Sequence, residues 1–173
     1  MPQRSGALMA TSPLNSQNPS QDALIIALLT RDEGFRRSAY TDSLGYVTIG
    51  IGRMVDARKG GGISLEEAKI LLLNDISRIR RHLAASIPWW GRLDPVRQAV
   101  FISMAFQMGV DGLLNFRKTL LAVRESRWED AANGMLASKW ASQTPLRASR
   151  LAEALRTGDQ GAFRLDEEPP SPA

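Results

Sequence analysis

The sequence predicts an α+β fold: a small lobe with a three-stranded antiparallel sheet, a long connecting helix and a larger helical lobe. Three observations predict it. Apolar residues recur at helical spacing before residue 34 and again from residue 65 onward. Between these stretches, short β-type runs alternate with glycine-bearing turns. The chain has 173 residues, 43% hydrophobic and 23% charged, enough for one real core and unlike collagen, a coiled coil or a wholly disordered chain.

The first helix is expected to start at Ser20 or Asp22, either of which can cap it. Leu24 with Leu28, and Ile25 with Leu29, repeat at i,i+4 and mark a face to be buried; Gly34 is a suitable stop. Short strands are expected over Ser38-Ala39-Tyr40, Tyr46-Val47-Thr48-Ile49 and Arg53-Met54-Val55, with turns at 41–45 and 50–52. Ser64-Leu65-Glu66-Glu67 is a capping box opening a long helix that must end before Pro88. Asp94-Pro95 starts a helix that is apolar nearly all round and so belongs inside the core. Ser126-Arg127-Trp128-Glu129 reads as a second capping box, and Thr144-Pro145 opens a last helix running to Thr157-Gly158. Residues 1–22, rich in Ser, Pro, Asn and Gln, read as a flexible arm, 23–158 as the folded domain, and 159–173 as a tail with a loose end.

Composition excludes several chemistries. With no cysteine, there is no disulfide framework, Cys-ligated zinc or thiol nucleophile. The only histidine, His82, rules out a chain-internal multi-histidine metal site and disfavours a His-based triad. The net charge is +4, but residues 23–158 alone hold twenty basic and thirteen acidic side chains, or +7. A basic body favours polyanionic partners: nucleic acid, anionic lipid or a bacterial envelope polymer. No run approaches the ~18 apolar residues of a membrane span, and the polar start is not a signal-peptide pattern. The basic face of Arg78, Arg80, Arg81 and His82 reads first as a solvated surface, and Trp89-Trp90 as packing.

Glu33, Asp42 and Thr48 form the one constellation with chemical meaning. Glu33 falls at a helix C-terminus, where the dipole disfavours an anion and so suits a proton donor, with Phe35 nearby to add desolvation. Asp42 falls in a polar turn that suits the ionised form. Thr48 shares a strand face with Tyr46 and Gly50, where a hydroxyl could hold a water beside Asp42. Two carboxyls in opposed environments fit acid/base work at a glycosidic bond. On spacing alone this carries little weight, because a charge at a helix end and an aspartate in a turn are common in any fold.

The surrounding residues resemble the phage-type lysozymes. The likeness lies in Arg31-Asp32-Glu33-Gly34-Phe35-Arg36, in Tyr40-Thr41-Asp42, and in Gly45-Tyr46-Val47-Thr48-Ile49-Gly50-Ile51-Gly52. Glu33, Asp42 and Thr48 keep the family spacing, and the likeness resumes at Phe106-Gln107-Met108-Gly109, Arg127-Trp128-Glu129 and 140–148. The resemblance implies a muramidase, cutting the β-1,4 bond between N-acetylmuramic acid and N-acetylglucosamine in peptidoglycan with inversion. Glu33 would be the general acid, and Asp42 with Thr48 would position the water. Arg147 matches an arginine that pairs with the catalytic glutamate, while Met54, Phe106 and Thr119 match cleft positions, with plain core as the rival reading of Phe106. Gly134 stands where the family has a polar cleft residue, and Asn133 beside it is a candidate replacement.

Arg53 stands where the family usually has histidine, and Asp75 matches that residue's acidic partner, so an Arg53–Asp75 pair is implied. Leu44 replaces an acid without removing a catalytic group. No cofactor, metal or nucleic acid is expected. The expected protein is a monomeric endolysin without stable membrane insertion. It would collect in the host cytoplasm and depend on a separate membrane-permeabilising protein, a holin, to reach the wall and lyse the host. The rivals are a non-catalytic peptidoglycan-binding module, against which the intact Glu33, Asp42 and Thr48 argue, and a lytic transglycosylase, which needs only the acid. A nucleic-acid-binding protein would show salt-sensitive duplex affinity, but no recognition motif supports it.

Overall fold

The computed structural model describes residues 19–164, and the chain divides into two compact units at Leu65/Glu66. Residues 1–18 of the expected arm and 165–173 of the expected tail lie outside the described residues.

The amino-terminal unit carries helix α1 (Pro19–Glu33) and strands β1 (Arg36–Thr41), β2 (Val47–Gly50) and β3 (Arg53–Met54). The strands form one antiparallel sheet in the order β1-β2-β3. Helix α1 begins at Pro19, upstream of both expected caps, so Ser20 and Asp22 lie within its first turn and residues 19–22 are helical. The start suits a proline, which lacks the N–H that a first helical position leaves unused. The helix ends as expected: Gly34 adopts φ +72° and its N–H donates to Thr30 O at 3.0 Å.

The apolar rows of α1 are not buried. Leu24 is 69% exposed and Ile25, Leu28 and Leu29 are all above two-fifths. The i,i+4 pattern marks an apolar face but supplies nothing to cover it. The unit's other structure is a small sheet, and the hydrophobic core cluster is drawn entirely from the second unit.

The second unit is helical: α2 (Leu65–Ser86), α3 (Pro95–Leu114), α4 (Arg117–Arg124), α5 (Trp128–Leu136), α6 (Lys139–Gln143) and α7 (Pro145–Thr157). Short 3-10 turns sit at Trp90–Arg92 and Gln160–Phe163, the latter within the expected tail. The core is built around Leu83, Val100, Phe101, Met104, Leu113, Met135 and Leu155, all fully buried. Each contributes roughly 1.5–3 kcal/mol of burial free energy. Trp90 joins them and Trp89 packs against the cluster, as the packing reading of that pair requires. Phe106 does not: it is 53% exposed, and α3 is therefore not buried on all sides. Gly109 interrupts α3 with non-helical φ 77° and ψ 159°.

Arg97 ties three helices together. Its guanidinium donates to Leu155 O at 2.8 Å and Arg156 O at 3.0 Å, caps the end of α7, and pairs with Asp94 at 2.8 Å. It also lies over the Trp128 ring, 3.9 Å from the centroid. Asp94 caps α3 as expected, accepting the Arg97 N–H at 2.9 Å.

The second expected capping box fails for a local reason. Ser126 adopts φ +57° and closes α4 instead: its N–H donates to Val123 O and the Arg127 N–H to Ala122 O. This is the paired closure of a Schellman motif. Helix α5 then starts at Trp128 with no side-chain cap. Thr144 does precede Pro145 at the start of α7, but its hydroxyl donates back to Trp140 O at 3.1 Å rather than capping. Among the described residues no single helix is long and apolar enough to cross a membrane.

Candidate active site

Asp42 is fixed by the hairpin it sits in. Its N–H donates to Tyr46 O at 2.9 Å, and its Oδ1 accepts the N–H groups of Leu44 and Tyr46, each at 2.9 Å. An aspartate that folds its carboxylate onto the backbone two residues on is an Asx turn, which is why this residue type belongs here. The second oxygen, Oδ2, receives no hydrogen bond from the described residues. One oxygen of the carboxylate is thus committed to the turn and the other is not.

Thr48 sits in the central strand, opposite Tyr40 of β1 and Met54 of β3. It is 4% exposed, one of two buried polar side chains among the described residues. Its hydroxyl donates to Tyr46 O at 3.4 Å, long for such a bond, so a closer partner such as water can compete for it. Both Asp42 and Thr48 are therefore bonded to the backbone of Tyr46, at the mouth of the β1–β2 turn. Met54 is 46% exposed beside Thr48.

Glu33 is the last residue of α1 and is exposed. Its side chain lies against the β2–β3 turn. A Cβ placed on Gly52 would come within 2.9 Å of Glu33 Oε2, 3.3 Å of its Cβ and 3.4 Å of its Cδ. Phe35 is 64% exposed, too open to supply the desolvation expected of it. Glu33, Asp42, Thr48 and Met54 thus belong to one unit, on α1, the β1–β2 turn, β2 and β3.

A family model for phage lysozyme matches residues 30–156 of the chain. The chain belongs to the phage lysozyme family. Among its relatives is the pre-baseplate central spike protein Gp5 of Enterobacteria phage T4, 31% identical over 169 residues. That match covers 83% of this chain but 29% of the spike protein. The probable T4-type lysozyme 1 of Dictyostelium discoideum is 29% identical over 163 residues, covering 79% of this chain and 96% of that protein. The peptidoglycan hydrolase gp36 of Pseudomonas phage phiKMV is 29% identical over 123 residues, 69% of this chain and 14% of that protein. The chain thus spans nearly all the length of one of these relatives and less than a third of the other two.

The second unit holds the remaining family-matched positions except Arg53, which lies on β3 of the first. Thr119, 3% exposed, and Gly134 meet directly: a Cβ on Gly134 would lie 2.8 Å from Thr119 Oγ1. The threonine hydroxyl therefore occupies the space that a side chain at 134 would need. Both line a groove of about 610 Å³ with Phe116, Trp140, Lys118 and Lys139. Asn133 is exposed and does not line this groove. Trp140 is set edge-on to Phe116 and donates its Nε1–H to Gln107 Oε1 at 2.9 Å. Phe106 lines a different cavity, of about 390 Å³, with Asp75, Arg78 and His82. Arg147 is exposed in the first turn of α7, and Arg53 is exposed on β3. Asp75 is bonded to Arg78, one turn on, at 2.6 Å.

Two features escape a reading of the sequence. Gly52 lies beneath Glu33 although eighteen residues separate them along the chain, and no local signal marks the contact. The cations Arg117, Lys118 and Lys139 gather at one groove from two elements, and the only signal was the surplus of basic residues.

Proposed function

We propose that the protein is a muramidase that hydrolyses the β-1,4 bond between N-acetylmuramic acid and N-acetylglucosamine in peptidoglycan, with inversion at the anomeric carbon. Glu33 donates its proton to the glycosidic oxygen as the bond to the anomeric carbon breaks. Asp42, through Oδ2, orients a water and accepts its proton as the water oxygen bonds to that carbon from the opposite face. Thr48 holds the same water through its hydroxyl. Met54, Phe106, Thr119 and Gly134 contact the glycan, and Arg147, Arg53 and Asp75 have the supporting roles that their match to family positions implies.

The observation that carries this reading is the state of Asp42 within the matched segment: one carboxylate oxygen is committed to the turn and the other is open, next to the strand bearing Thr48. A lytic transglycosylase has no use for an activated water, and a purely binding module has no use for a preset carboxylate. The cationic side chains around the Thr119–Gly134 groove suit an anionic wall polymer. The protein works as a monomer without cofactor. It accumulates in the host cytoplasm and lyses the cell once a holin has opened the membrane.

Lysis of chloroform-treated cells by Glu33→Gln tests this reading, with circular dichroism to check the fold. Loss of the acid should slow lysis by ~10²–10⁴-fold with the fold intact. Lysis at the wild-type rate would overturn the assignment.

A further inference from the structure

We infer that Gly52 is a positioning residue for the reaction: its missing side chain leaves the space in which the Glu33 carboxyl rests. The inference builds on the reading of Glu33 as the acid and adds a reason for that acid's placement.

Glu33 ends a helix, is exposed, and would be free to sample several rotamers on its own account. A proton donor must instead be held near one geometry, since small displacements of a reacting group are costly in rate. The β2–β3 turn supplies the surface it rests on. At Gly52 the backbone comes close enough that an added Cβ would meet the Glu33 carboxylate oxygen at 2.9 Å, its Cδ at 3.4 Å and its Cβ at 3.3 Å. The carboxyl group and the Cβ of the side chain both lie over this one residue. Any side chain at 52 must displace the Glu33 carboxyl from this position, which a flexible glutamate does at little cost in stability and, for a catalyst, at a large cost in rate.

The same turn provides a matched control. Gly50 has φ +67° and Gly52 φ +66°, so at either position an L-residue enters the left-handed φ range that favours glycine. Around Gly50, however, nothing lies within 4 Å of an added Cβ. Alanine at 50 carries the conformational penalty alone, whereas alanine at 52 carries the penalty and the collision with Glu33.

The experiment compares Gly50→Ala with Gly52→Ala, and Gly50→Asn with Gly52→Asn, on a soluble peptidoglycan oligosaccharide below the lowest melting temperature. Asparagine adopts positive φ readily, so the second pair keeps the Cβ while relieving the backbone, and it decides the matter if an alanine variant does not fold. Within each pair the melting temperatures should fall together. Gly50 variants should keep kcat, while Gly52 variants should lose about 100-fold in kcat with KM unchanged. Equal loss of kcat at both positions would reduce Gly52 to a turn residue, and a rise in KM alone would make it a substrate contact; either result overturns the inference. Wild-type lysis by Glu33→Gln would instead remove the reading beneath it, so the two failures are distinguishable.

Discussion

Asp42 and Tyr46 exchange two hydrogen bonds: the Asp42 N–H donates to Tyr46 O, and the Tyr46 N–H donates to Asp42 Oδ1, both at 2.9 Å. The catalytic candidate and the closure of the β1–β2 hairpin are therefore one structure. The two roles separate by substitution. Asp42→Asn keeps an amide oxygen for the Leu44 and Tyr46 N–H groups but loses the base, whereas Asp42→Ala loses both. Asp42→Asn should melt near the wild type, and Asp42→Ala should be about 1–3 kcal/mol less stable, the worth of two hydrogen bonds. Both should lose ~10²-fold or more in activity. Melting temperature and lysis rate, measured on the same samples, check the pair of outcomes.

Thr48 allows a similar separation. Its hydroxyl is buried and its one protein bond is long, so the fold depends little on it. Thr48→Val preserves shape and should change stability by about 1 kcal/mol or less while lowering activity by about 5–10-fold, one hydrogen bond to the attacking water. Thr48→Ser, which keeps the hydroxyl, should retain most of the activity. Equal rates for the valine and serine variants would remove the hydroxyl from the mechanism.

The Asp94–Arg97 pair gives the second unit an acid-sensitive stability. Burial pushes the Asp94 carboxyl up, but the Arg97 N–H and guanidinium outweigh it and hold it below the usual carboxylate range. A depressed acid stabilises the fold above its unfolded pKa of ~3.9, and that stability disappears as pH falls through the lower folded value. Asp94→Asn still caps α3. It should cost about 1 kcal/mol at pH 7. The gap in urea midpoint between wild type and Asp94→Asn should be constant above about pH 5 and close in acid. A gap that persists unchanged to pH 2 would contradict this.

Much of this was legible in the sequence where the physics is local. The Asp42 turn, the antiparallel strands around it, the Asp94-Pro95 start and the Gly158 stop each follow from residue types acting on their own backbone. Ser126 was misread because the same S-x-x-E spacing serves a cap only if the serine is free of the preceding helix, and here it closes α4. The rows of α1 show that periodicity gives a face but not its cover. Gly52 against Glu33, and Thr119 against Gly134, are contacts across distant segments, which no local pattern encodes.

The most direct measurement is the mass and anomeric form of the first sugar released from purified peptidoglycan, by mass spectrometry and NMR during the opening seconds of digestion. Hydrolysis by Glu33 with a water set by Asp42 and Thr48 predicts fragments ending in reducing N-acetylmuramic acid, formed first as the α-anomer. A product lighter by one water, carrying an internal anhydro ring, would mean that no water attacks. A β-anomer formed first would mean a covalent glycosyl-enzyme. Either result would contradict the account.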